Sequence, residues 1–102
     1  MKKKLPLEIP QERIASFCKK HHIIKLAVFG SALRGDFRSD SDLDFLVEFE
    51  SGKGPSFFRL FDMEEELSTI LGGKKVDLRT PEDLSRYFRD EVLSTALVQY
   101  AA

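Results

Sequence analysis

This chain has no tryptophan, a single cysteine, and no apolar run near the ~20 residues that a membrane-spanning helix needs. The lone Cys18 excludes an internal disulfide framework and suits a reducing compartment, so the expected location is the cytoplasm. An excess of basic charge is also missing. With a formal net charge of −1, the chain lacks the basic excess that coats nucleic acid nonspecifically, and no direct nucleic-acid partner is expected. The start, "MKKKLPLEIP", is basic but no apolar segment follows, so it does not read as a signal peptide. Lys2, Lys3 and Lys4 read as a solvated tail. There is no internal repeat and no low-complexity segment.

What is present fits one folded domain over residues 1–102, with 42% hydrophobic and 32% charged residues. Nine phenylalanines predict a Phe-rich core. "PQERIASFCKKHH" predicts a helix opened by Pro10, with Ile14, Phe17, Cys18 and His21 turned inward. Cys18 is then a packing residue, and His21 and His22 end the helix without a partner at metal-ligand spacing. "IIKLAVFG" reads as a buried strand stopping at Gly30, and "LDFLVEFE" as a second strand. Alternation places Leu43, Phe45, Val47 and Phe49 on one face of the latter, and Asp42, Asp44, Leu46 and Glu48 on the other.

After "SGKG", Pro55 opens a long helix whose predicted apolar stripe is Phe58, Leu60, Phe61, Leu67, Ile70 and Leu71, ended by Gly72-Gly73. "KKVDLR" is a short third strand. Thr80-Pro81-Glu82-Asp83 looks like a helix start. "RDEVLSTALVQY" predicts a last helix, with Val92, Leu93, Ala96, Leu97 and Tyr100 on one face. The expected fold is α+β: a three- or four-stranded mixed sheet with helices packed on one face, leaving the other face for chemistry.

That other face is acidic. Asp42 and Asp44, two apart on a strand, project together, and such carboxylates repel unless a cation lies between them. Oxygen donors of this kind suit Mg²⁺ or Mn²⁺. Asp77 interrupts an apolar strand between Val76 and Leu78, so it faces away from the core. If that strand lies beside "LDFLVEFE", Asp77 joins Asp42 and Asp44. Three carboxylates can hold two metal ions for in-line phosphoryl or nucleotidyl transfer. The plainer alternatives are exposed strand-end aspartates and an edge-strand charge that discourages aggregation.

Gly30-Ser31 supplies the complementary half. Gly30 has no side chain to block a ligand, and a helical turn starting at "SALR" would aim free N–H groups at a phosphate. Ser31 could add a hydroxyl and Arg34 a guanidinium. Two rival motifs fail. Gly30 and Gly35 have P-loop spacing, but Asp36-Phe37 replaces the required Lys and Ser/Thr. Asp40, Asp42 and Asp44 mimic an EF-hand, but Phe45 and Ser51 stand at its glycine and glutamate positions.

Gly30-Ser31, ten residues, then Asp42-Leu43-Asp44 resembles the signature of the polymerase-beta-like nucleotidyltransferases. The string "GSALRGDFRSDSDLDFLVEF" resembles the minimal nucleotidyltransferases, antitoxin halves of HEPN toxin pairs in prokaryotes. "KKVDLRTPEDL" is similar to that family's third-carboxylate strand. Ala32-Leu33 departs from it, since many members carry a further arginine there. The resemblance implies that Asp42, Asp44 and Asp77 hold two Mg²⁺ (or Mn²⁺) ions and that Gly30 and Ser31 hold the outer phosphates of ATP. It implies transfer of AMP to a tyrosine of a HEPN-type ribonuclease toxin, in complex with that partner. A second hypothesis is an antitoxin that neutralises its partner by contact alone. An antibiotic-modifying transferase or a polymerase needs a further domain.

Overall fold

The computed structural model describes residues 9–30, 33 and 42–102. Helix α1 (Gln11–Lys20) leads into β1 (Ile23–Phe29), and β2 (Leu43–Phe49) follows. Helix α2 (Phe57–Ile70), β3 (Val76–Arg79), a 3₁₀ turn (Pro81–Asp83), α3 (Arg86–Thr95) and β4 (Leu97–Ala101) complete the order. The four strands form one mixed sheet in the order β3-β2-β1-β4. β1 pairs antiparallel with both β2 and β4, and β2 pairs parallel with β3. The parallel pair needs a crossover, and α2 provides it.

Helices α1 and α2 cover one sheet face. Ile14, Phe17 and Cys18 from α1 and Met63 and Leu67 from α2 pack on Leu26 and Val28 of β1 and Leu43, Phe45 and Val47 of β2. Each such aliphatic or aromatic side chain, once buried, stabilises the fold by about 1.5–3 kcal/mol. The period of two in β2 is therefore realised as expected: odd-numbered positions enter this core, while Asp44 and Glu48 stay half-buried. In β1 the phase slips between Ile23 and Lys25, so that Ile23 still reaches the core. Leu78 is buried between half-buried Asp77 and exposed Arg79.

Four expectations change. The segment Leu97–Ala101 is a strand, not the end of a helix. α3 stops at Thr95 because β1 would otherwise have an unpaired edge, and β4 satisfies it with Lys25 opposite Ala101 and Leu26 opposite Tyr100. Thr80–Asp83 forms only one 3₁₀ turn, in which the Thr80 N–H donates to Asp83 Oδ2 at 3.1 Å. The buried row of α2 is Met63 and Leu67, continued by Leu71, whereas Phe58 and Phe61 are exposed. At 3.6 residues per turn, Phe58 lies across the helix from Met63 and Leu67. The core is accordingly not Phe-rich: among the described phenylalanines only Phe17 and Phe45 are buried.

The Lys20 ammonium and His21 Nε2 hold one carboxylate of α2, Glu66, at 2.6 and 3.0 Å. Burial alone would raise Glu66, but these two partners hold it below its ordinary 4.5. A lowered carboxyl pKa contributes stability above the unfolded value, and that contribution is lost as pH falls through the folded value. The difference in thermal midpoint between the wild type and Glu66→Gln is therefore expected to shrink from about pH 7 to about pH 3. Calorimetry at stepped pH checks this.

Cys18 is fully buried, and desolvation pushes its thiol up to about 12. Since the thiolate is the reactive form, native protein is expected to resist a disulfide-forming thiol reagent, with rapid reaction on addition of denaturant. This matches the packing role expected from the sequence.

Candidate active site

The face opposite α1 and α2 carries the carboxylates. Asp44 and Asp77 are direct register partners in the parallel β2–β3 pair. Neighbouring strands lie about 4.8 Å apart, so the two side chains stand next to each other on one face. On its other side Asp44 is opposite Phe29, the residue before Gly30. Gly30 has φ +79°, and a Cβ built there would lie 2.5 Å from Asp44 Oδ2. The carboxylate therefore sits against a bare Cα that only glycine supplies. The Leu33 N–H donates to the Gly30 carbonyl at 3.0 Å, turning the chain just after the strand.

Asp77 is held from two directions. Arg79, two residues on and so on the same strand face, puts Nε 3.1 Å and a terminal nitrogen 3.0 Å from Asp77 Oδ2. From α2, Glu64 accepts the Leu78 N–H at 2.7 Å, satisfying a donor of the edge strand. Burial pushes the Glu64 carboxyl up, the Leu78 N–H opposes this, and Asp77, in contact with it, pushes it further up.

Of the residues singled out from the sequence, the structure brings together Gly30, Asp44 and Asp77. Asp42 is exposed, one residue ahead of β2. Among the described residues, no three His, Cys, Asp or Glu side chains form a group able to hold a metal ion. Ser31 and Arg34 lie outside the described residues, as do Asp36, Arg38 and Asp40. The donor chemistry nevertheless fits a hard divalent cation: paired carboxylate oxygens on one face of the sheet. Two participants escaped the sequence reading. Arg79 was findable from its period-two relation to Asp77, whereas Glu64 was not, since nothing local shows which part of α2 meets β3.

A cleft of ≈ 460 Å³ opens beside Asp44 and Gly30, with Phe88, Glu91, Val92 and Thr95 of α3 as its far wall. A larger hollow of ≈ 580 Å³ lies between α1 and α2. It is on the opposite side of the sheet from the paired aspartates, so it is not the site.

The family described as "Polymerase beta, Nucleotidyltransferase" matches residues 12–101. A Methanocaldococcus jannaschii protein, provisionally named protein adenylyltransferase MJ0435, is 33% identical over 87 residues, covering 85% of this chain and 90% of that protein. A solved structure provisionally described as a minimal nucleotidyltransferase superposes with a TM-score of 0.69 at 36% identity, covering 85% of this chain and 86% of its own. A toxin–antitoxin crystal structure with AMP-PNP superposes with a TM-score of 0.71 over 91% of this chain and 74% of its own. At 17% identity, that last likeness is one of fold. No described helix is long and apolar enough to cross a membrane. The chain belongs to the polymerase beta nucleotidyltransferase family, in its minimal nucleotidyltransferase branch.

Proposed function

We propose that this chain, as one domain over residues 1–102, transfers AMP from ATP to a tyrosine hydroxyl of a HEPN-type toxin in the cytoplasm and thereby acts as its antitoxin. The observation that carries this reading is the juxtaposition of Asp44 with Asp77 on one side and with the bare Cα of Gly30 on the other. The relative provisionally named a protein adenylyltransferase supports the reaction class, and the AMP-PNP of the toxin–antitoxin neighbour supports an adenine nucleotide.

Asp42, Asp44 and Asp77 would hold two Mg²⁺ ions, or Mn²⁺ in their place. Such ions neutralise the triphosphate and stabilise the charge that develops as the α-phosphorus is attacked. The residues of the chain do the rest. Gly30 admits the outer phosphates close to the backbone, with Ser31 and Arg34 as further contacts. Asp77, at the β3 edge of the sheet, takes the proton of the acceptor hydroxyl. The hydroxyl oxygen bonds to the α-phosphorus, the bond to the bridging α–β oxygen breaks, and pyrophosphate leaves. Arg79 and Glu64 position Asp77 for this step.

The surface supports a protein acceptor. Phe57, Phe58 and Tyr87 are 84%, 82% and 94% exposed. This exposed aromatic surface suits contact with a protein partner. It would serve equally an antitoxin that acts by contact alone, so the chemistry must be measured. With labelled ATP, Mg²⁺ and the purified partner, label is expected on the partner, and a chelator is expected to abolish it. A partner that is neutralised yet never labelled would support the contact-only reading.

A further inference from the structure

We infer that the α3 wall of the cleft beside Asp44 receives the nucleobase of the donor nucleotide and favours a base carrying an exocyclic amino group. The inference rests on the nucleotidyl-transfer reading above and adds the part of the site that reads the base.

The sheet order sets the direction. Asp77 stands on β3, at one edge, and accepts the acceptor's proton, so the acceptor approaches from that side. Gly30 ends β1, on the opposite side of Asp44, and the cleft continues from Gly30 toward α3. A nucleotide whose phosphates lie between Gly30 and the aspartates has its nucleoside directed into that cleft. Its ≈ 460 Å³ falls within the range of small-ligand sites.

The lining chemistry selects the base over the phosphates. Glu91, the acidic group of the α3 wall, repels an anion. Phe88 and Val92 present an aromatic and an aliphatic surface to a flat ring. The Glu91 carboxylate only accepts hydrogen bonds when ionised, so it suits an amino group, as on adenine, and disfavours the bare O4 of uracil. Phe88 is 44% exposed and no residue of α3 is buried, so this face is available and its substitution leaves the core untouched.

The test is equilibrium binding with Mg²⁺ of three probes: a non-hydrolysable ATP analogue, its UTP counterpart and inorganic tripolyphosphate. Phe88→Ala is expected to weaken the ATP analogue by about 5- to 150-fold and leave tripolyphosphate unchanged. Glu91→Gln is expected to narrow the preference for the ATP over the UTP analogue. Phe88→Trp should retain the stacking and, in a chain without tryptophan, provide a unique fluorophore. Its emission is expected to respond saturably to the ATP analogue and not to tripolyphosphate. Normal ATP-analogue affinity in Phe88→Ala, or a Phe88→Trp signal blind to the analogue, would overturn the assignment while sparing the nucleotidyl-transfer reading. So would an effect of Phe88→Ala confined to the KM of the protein acceptor. If the wild type binds neither the ATP analogue nor tripolyphosphate, the underlying reading falls, and this assignment with it.

Discussion

Asp44→Asn is expected to lower nucleotidyl transfer by about 10²-fold or more while the protein remains folded. Asp44 is the central residue of the site: it is opposite Asp77 on β3, opposite Phe29 on β1, and against Gly30. Asparagine keeps the size and the branching of the side chain, so β2 has no reason to move. It removes a negative charge, however, and with it most of the affinity for a hard divalent cation. Labelling of the partner measures transfer, and thermal denaturation in chelator checks that the fold is kept. Transfer at the wild-type rate by a folded Asp44→Asn would remove Asp44 from the mechanism. A large fall in thermal midpoint would show that its role is structural.

Gly30→Ala is expected to cost roughly 1–2 kcal/mol of stability and to lower transfer by more than that loss explains. The first effect comes from the backbone: at φ +79° an L-residue with a Cβ is strained. The second comes from the 2.5 Å approach of the new Cβ to Asp44 Oδ2. That oxygen is the end of a side chain, so the clash is relieved by turning the carboxylate away. The rotation removes the carboxylate from its position beside Asp77. Gly52→Ala separates the two effects. Gly52 has φ +76° with no atom within 4 Å of the place a Cβ would take, so it should share the backbone cost and keep full transfer. Denaturant melts and the partner-labelling rate, measured on both variants, test the separation. Equal transfer rates in Gly30→Ala and Gly52→Ala would show that the carboxylate does not depend on the space that Gly30 leaves.

Much of this site is legible in the sequence, because it rests on local periodicity. β1 stops at Gly30, Asp44 alternates with the core positions Leu43 and Phe45, and Asp77 alternates with Leu78. A period of two along a strand is a property of the chain itself, and it needs no knowledge of neighbours. Arg79 follows the same rule. The resemblance carried by Gly30-Ser31 and Asp42-Leu43-Asp44 pointed to the family to which the chain belongs.

The partners of each element were decided only by tertiary structure. Val92, Leu93, Ala96, Leu97 and Tyr100 have helical spacing, yet Leu97 and Tyr100 lie in a strand because the edge of β1 offers hydrogen bonds that a helix there would leave unmade. Phe58 and Phe61 are as apolar as Leu67, but the sheet meets the other side of α2. Glu64 meets Leu78 and Asp77 only because the crossover brings α2 down at the β3 edge. The chain sequence alone determined which residues share a face. Which faces meet depended on strand pairing and helix docking between distant segments, where burial and hydrogen-bond satisfaction outweigh local preference.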